Sequence, residues 1–159
     1  MSASETPAKS KGPDMRVSLC GLELCSPVIA ASGTFGYGVE FEELIDFRRI
    51  GAFVTKGLSR EPMAGNAAPR ILETQAGMIN AIGLQNLGVK AFVDQKMPRL
   101  RQLCPQEAGQ GRDTAAVITN IFGFTVQDCL EVIQVLNDCP GIDLYELNAS
   151  CPNLSLIHI

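Results

Sequence analysis

The residues best equipped for chemistry lie near the end of the chain, in "LNASCPN", residues 147–153. Cys151 follows the point where an apolar run stops, and Pro152 fixes the backbone behind it. A thiol so placed can serve as nucleophile, metal ligand, redox switch or proton carrier. Nucleophilic hydrolysis wants a neighbouring base, usually histidine, and the sequence has one, His158, in its last few residues. A metal site lacks partners: the six cysteines stand at 20, 25, 104, 129, 139 and 151, with no CxxC pair. A proton carrier needs only a suitable pKa and reach. Asn148 and Asn153 can hold a substrate beside it without adding charge. General acid–base work therefore fits this stretch best.

Further polar residues close other apolar runs. One run ends in Ser32-Gly33-Thr34, a second in Thr55-Lys56-Gly57, a third in Asn120 and a fourth in Asn148. If these runs are parallel strands, their C-terminal ends form one rim, where ligands bind in such folds. Each polar residue alone could be a turn former, and Lys56 could extend its ammonium to solvent. Together they predict a shared mouth with one fixed cation. Between the second and third runs lies "MINAIGLQNLG", residues 78–88. Its apolar Ile79, Ile82 and Leu84 alternate with the amides of Asn80, Gln85 and Asn86, and Gly83 permits close backbone approach. Such a loop could wall a site and offer amides to a planar polar ligand, or be an ordinary packed loop. "ASGTFGYG" reads GxxGxG and does not match the GxGxxG dinucleotide fingerprint, and no Walker A sequence is present.

The elements that must position these residues follow from periodicity. The short apolar runs "PVIAA" from Pro27, "AFVT" from Ala52, "AAVITN" from Ala115 and "IDLYELN" from Ile142 predict buried parallel strands. Helices are predicted between them. In "VEFEELIDFRRIG", Phe41, Leu44 and Ile45 share a face and Gly51 offers a C-terminal cap. In "LGVKAFVDQKMPRLRQL", Val89, Phe92, Val93, Met97 and Leu100 align, with a kink or restart at Pro98. In "TVQDCLEVIQVLNDCPG", Thr125 and Asp128 suggest a capping box and Leu130, Ile133 and Leu136 a buried stripe. "RVSLCGLELCSPV" reads as a β-hairpin turning at Gly21. The expected class is α/β, a series of βαβ units. The chain has 159 residues, 46% of them hydrophobic, and a net charge of −4, which gives no reason to expect nucleic acid or an anionic membrane as partner. No apolar run approaches 18 residues, the polar first segment lacks a signal-like core, and a cytoplasmic location with reduced thiols is expected.

The motifs "SPVIAASGTFGYG", "TKGLSREPMAGNAAPRILET", "GMINAIGLQNLGV", "ITNIFG" and "LNASCPN" occur in an order and at spacings that resemble class 1 dihydroorotate dehydrogenases, in particular the class 1B catalytic subunit. The resemblance covers about residues 16–153. It implies an FMN-containing (β/α)8 barrel that oxidises dihydroorotate to orotate in pyrimidine biosynthesis. On this resemblance Ser32, Lys56, Gly57, Asn120 and Asn148 match flavin-contacting positions. Lys56, Asn80, Ala81, Ile82, Gly83, Leu84, Asn148 and Asn153 match substrate-contacting positions. Cys151 matches the base that takes the C5 proton while a hydride leaves C6 for flavin. No metal ligand is implied in this chain. The resemblance further implies an oligomer and a partner subunit carrying FAD and an iron–sulfur cluster, which passes electrons to NAD. Other readings are a related flavin barrel acting on pyrimidines or amides, or an inactive fragment acting by association. A fumarate-using class 1A enzyme is a further one.

A (β/α)8 domain takes roughly 250 residues and eight strands, whereas four strands are legible here. The expectation is thus the N-terminal half of a TIM barrel at residues 16–153, after a disordered lead at 1–15 and before a tail, 154–159, foreign to the family. Half a barrel exposes two strand edges and its interior. The isolated 159-residue chain should therefore bind FMN poorly. Flavin absorbance that stays with the chain through gel filtration would contradict this.

Overall fold

Four short segments build one parallel sheet, whose two inner strands, Ala52–Val54 and Ala116–Ile121, are buried on both faces. The structure is a computed structural model that describes residues 13–106 and 113–149. In chain order the elements are β1 (Val17–Leu19), β2 (Leu22–Leu24), β3 (Ile29–Ala30), a 3₁₀ turn (Val39–Phe41) and β4 (Ala52–Val54). There follow β5 (Ile71–Thr74), β6 (Gly77–Asn80), α1 (Val89–Gln95), α2 (Met97–Leu103), β7 (Ala116–Ile121), α3 (Val126–Asn137) and β8 (Leu144–Leu147). The central sheet runs β3-β4-β7-β8, every pair parallel.

Register divides the sheet into two faces. Ala52 stands opposite Ala116 and Val54 opposite Ile118, and these four pack with Leu24, against which Leu19 and Leu22 also lie. The β1–β2 hairpin thus covers the inner face, its reversal made by Cys20 and Gly21, both at positive φ (51° and 81°). The alternate residues Phe53, Val117 and Ile121 point to the helices and meet Phe92, Met97, Leu100, Val132 and Leu136. Phe53 is fully buried among Phe35, at a centroid distance of 5.4 Å, and Phe47, at 5.7 Å.

The helical pattern around Pro98 holds. Lys96 closes α1, and α2 starts at Met97 with Pro98 in its first turn, where a missing N–H costs nothing. The α3 cap is also as expected: the Thr125 hydroxyl accepts from the Asp128 N–H, and the Asp128 carboxylate accepts from the Thr125 N–H.

Four expectations are corrected. Residues 39–51 do not form a helix beyond the 3₁₀ turn. Phe41 stacks on Phe35 at 4.5 Å and Phe47 meets Phe35 edge-on at 6.2 Å. Residues six apart lie about 120° apart around a helix, so one helix could not bring both rings to that cluster. Asp46 ends any helix there, its carboxylate accepting from both the backbone N–H and the guanidinium of Arg48, and Leu44 stays 77% exposed. Gly51 does not act as a left-handed cap; a Cβ there would lie 1.8 Å from the Ser26 carbonyl oxygen, so it is a close-approach glycine. On α3 the expected Leu136 is buried and Ile133 packs against the core, but Val132 takes the place of Leu130, which is turned out. Lastly, residues 78–80, read as the start of a loop, belong to β6 and pair with β5 as an antiparallel hairpin.

Gly51→Ala should cost about 3 kcal/mol or more, the upper end of overpacking, because the clash is with backbone rather than a movable side chain. A urea midpoint within error of the unsubstituted protein would show that the strand start can move away from Ser26.

Candidate active site

The rim predicted from the strand ends exists. Ser32 and Gly33 follow β3, Lys56 and Gly57 follow β4, Asn120 is the last residue but one of β7 with Phe122 just after the strand, and Asn148 follows β8. All seven line one cavity of about 260 Å³. The ladder that brings them together runs past the strands: the Thr55 N–H donates to Ile118 O (2.9 Å), Leu58 N–H to Asn120 O (2.9 Å) and Asn148 N–H to Ile121 O (2.9 Å). The glycine-rich loop after β3 is stitched on by the Lys56 N–H, which donates to Gly36 O at 2.7 Å.

The opposite wall comes from the insert: Asn80, Ile82, Gly83, Leu84 and Gln85 complete the lining. Ala81 is not among the lining residues. Its N–H donates to Arg70 O (2.8 Å) and its carbonyl accepts from the Asn66 amide (2.7 Å), tying the wall to the segment before it. Gly83 and Leu84 sit consecutively at positive φ, 75° and 55°. For leucine this conformation costs on the order of 1–2 kcal/mol and must be held from outside.

Asn86 holds it. The sequence suggested an amide facing ligand, but Asn86 is buried and turned away from the cavity. Its Oδ1 accepts from the Gly88 N–H (2.8 Å) and the Ser59 N–H (3.3 Å), while Nδ2 donates to Leu84 O (2.9 Å) and Ser59 Oγ (2.9 Å). Its backbone pairs with Met63 in both directions at 3.0 Å. Gln85 is likewise engaged, accepting from Arg70 Nη2 at 2.6 Å. A second brace joins the β3 loop to the same wall: the Leu87 N–H donates to the Tyr37 hydroxyl at 3.0 Å. Glu40 accepts from the Tyr37 N–H and from Lys96 Nζ, both at 2.8 Å. Burial raises the Glu40 carboxyl, but these donors outweigh it and leave the group below its ordinary value.

Among the described residues Lys56 is the one charged side chain lining the cavity, and it forms no ion pair among them. Three asparagines and Gln85 supply neutral amides; Ile82, Leu84 and Phe122 supply apolar contact. Gly57 leaves space that a side chain would take: a Cβ there would stand 2.9 Å from Asn120 Oδ1 and 3.1 Å from Phe122. One cation, convergent amides and apolar flanks suit a planar heteroaromatic ring with polar edges, as the isoalloxazine of FMN has.

Cys151 and Asn153 lie outside the described residues, as does His158. A smaller cavity of about 200 Å³ adjoins the rim at Asn148 and Ala149 and is lined by Cys129. Burial and the nearby Asp128 carboxylate push the Cys129 thiol up, which suits it poorly to proton abstraction. The described cysteines form no disulfide, and no cluster of metal-ligating side chains occurs among the described residues. Nor, among them, is any helix long and apolar enough to cross a membrane.

The family profile described as dihydroorotate dehydrogenase matches residues 14–157, and the chain belongs to that family. A protein of Solibacter usitatus, assigned provisionally to dihydroorotate dehydrogenase A (fumarate), is 52% identical over 141 residues, covering 89% of this chain and 43% of the relative. The dihydroorotate dehydrogenase B (NAD(+)) catalytic subunit of Pelobacter propionicus is 49% identical over 142 residues, with the same coverage of 89% and 43%. The chain therefore spans less than half the length of these relatives. In the ligand-free structure of Eimeria tenella DHODH the fold superposes with a TM-score of 0.69 at 20% identity, over 92% of this chain and 41% of that one. The four parallel strands and their preceding hairpin are thus the N-terminal half of a (β/α)8 barrel.

Asn86→Ala should cost about 1–3 kcal/mol, since it strands the Gly88 and Ser59 N–H groups. It should also raise amide exchange across residues 82–88, with a smaller change in β4 and β7. Equal protection of the wall in both proteins would contradict its role as the brace.

Proposed function

We propose that this chain is part of a dihydroorotate dehydrogenase B catalytic subunit, which oxidises dihydroorotate to orotate in pyrimidine biosynthesis with FMN as cofactor and Cys151 as base. The observation that carries this reading is the convergence of Ser32, Lys56, Gly57, Asn120 and Asn148 on one cavity walled by residues 80–85.

FMN, when bound, supplies the acceptor for the hydride that leaves the substrate ring. The residues of the chain do the rest. Ser32, Gly57, Asn120 and Asn148 would hold the flavin ring, and the Gly57 backbone would let it approach closely. Lys56 sets a positive charge where negative charge accumulates on reduction, an arrangement that lowers the barrier without reorganisation. Asn80, the wall residues Ala81 to Leu84, Asn148 and Asn153 grip the amide edges of dihydroorotate and fix one ring face. Cys151 takes the C5 proton; a free thiol, with pKa near 8.5, needs only modest lowering for that task near neutral pH. A partner subunit carrying FAD and an iron–sulfur cluster would supply the onward route for the electrons to NAD. The Pelobacter relative, named as a catalytic subunit, supports the need for a partner.

A second reading, with fumarate as acceptor, is favoured by the 52% identity to the Solibacter protein. The two separate in one assay of the full-length protein without any partner: fumarate-dependent turnover supports the second, its absence the first.

The proposed reaction predicts that dihydroorotate, and not dihydrouracil, bleaches the flavin of the full-length protein under anaerobic conditions. Cys151→Ser should slow bleaching at least about a hundredfold at neutral pH, within the range lost with a general base. The rate should recover as pH rises, because a serine hydroxyl deprotonates far above a thiol, and FMN should remain bound. Unchanged rates across pH would remove Cys151 from its role.

A further inference from the structure

One carboxylate at the rim has no part in the mechanism above. Glu146 lies on β8 directly opposite Asn120 of β7 in the parallel ladder, and it does not itself line the cavity. Its Oε1 accepts a hydrogen bond from Asn120 Nδ2. Asn120 is 2% exposed and its backbone is pinned: the N–H donates to Thr55 Oγ1 (3.2 Å) and the carbonyl accepts from Leu58 (2.9 Å). The freedom left to it is rotation of the terminal amide, which exchanges oxygen and NH2. An ionised carboxylate can only accept. The NH2 end must therefore face Glu146, and the oxygen must face the other way. There it stands on the cavity wall beside Gly57, 2.9 Å from where a Cβ of that residue would be.

We infer that Glu146 is a positioning residue: it fixes the amide polarity of Asn120, so that the cavity meets an acceptor oxygen at that point. The inference rests on the flavin reading and deepens it. Lys56, one residue from Gly57, offers a donor on the same wall. A donor beside a fixed acceptor is complementary to a ring imide, whose carbonyl accepts and whose N–H donates. Released from Glu146, the Asn120 amide turns freely and presents NH2 to an N–H for part of the time, a mismatch of two donors.

The test is a double-substitution cycle on FMN affinity, measured by flavin fluorescence quenching on the apo form of the full-length protein, with apo melting temperature read alongside. Glu146→Gln keeps an oxygen that accepts from Asn120 and should bind FMN within about threefold of the wild type. Glu146→Leu should bind about tenfold to a hundredfold more weakly, the range for losing a charge-assisted hydrogen bond. In an Asn120→Ala background Glu146→Leu should add nothing, because its route to the ligand is gone. Glu146→Ala gives the same comparison should the leucine variant not fold. Additive losses overturn the inference, as does a loss of affinity that tracks a fall in melting temperature. A wild type that binds FMN no better than Glu146→Leu overturns the inference alone. A wild type that takes up no FMN overturns the flavin reading and this inference with it.

Discussion

The site depends on the register of three parallel strands. Ala52 stands opposite Ala116, and Ile118 opposite Leu144, so Lys56 is level with Asn120 and Asn148 stands two residues further along, all on one side of the sheet. Side chains alternate along a strand, so a slip of one residue would turn each of these groups into the helix layer. The slip is prevented by packing rather than by the polar groups. Phe53 and Val117 belong to a cluster of aromatic rings and helices, while Ala52, Val54, Ala116 and Ile118 meet Leu24 of the hairpin. Exchanging the two sets would push Phe53 into the layer now filled by the smaller Ala52, Val54 and Ala116 under the hairpin. The apolar core thus sets the rim, and the polar residues are carried to their places by it.

The same logic extends to the wall. The segment 80–88 has no regular strand or helix to hold its far half, and it contains a leucine in the left-handed region. Its shape is maintained by a buried amide with four partners and by a tyrosine hydroxyl from the β3 loop. Buried polar networks of this kind are expensive unless complete. Completion is what lets Asn86 specify one conformation where apolar packing alone would allow several.

Much of this was legible in the sequence because it was local. The capping box at Thr125, the helix restart at Pro98 and the hairpin at Gly21 each depend on residues within four positions of one another. The parallel strands were legible because runs apolar on both faces have few other uses. What failed was decided at long range. The α3 sequence offers two apolar stripes, one through Leu130 and one through Val132, and only the sheet beneath selects between them. The segment 39–51 has a fair helical pattern, yet the rings it must satisfy, Phe35 and Phe53, lie outside it. Asn86 looked like a ligand-facing amide because Asn80 and Gln85 look the same in sequence. Its inward turn depends on Ser59, 27 residues earlier.

The mixture of relatives also has a physical reading. Proteins named for fumarate and for NAD(+) match this chain at 52% and 49% identity, nearly the same level. A ring oxidation and the later disposal of electrons are separate half-reactions and make separate demands on the protein. The residues gathered here — one ammonium, neutral amides, apolar flanks and a braced wall — are those that a ring-binding half-reaction needs. On the proposed reading none of them discriminates between electron acceptors, because none would depend on what later removes the electrons. On the proposed reading, similarity to both groups is therefore what a shared substrate half-reaction produces. Differences between the groups belong on surfaces that meet the acceptor or its carrier.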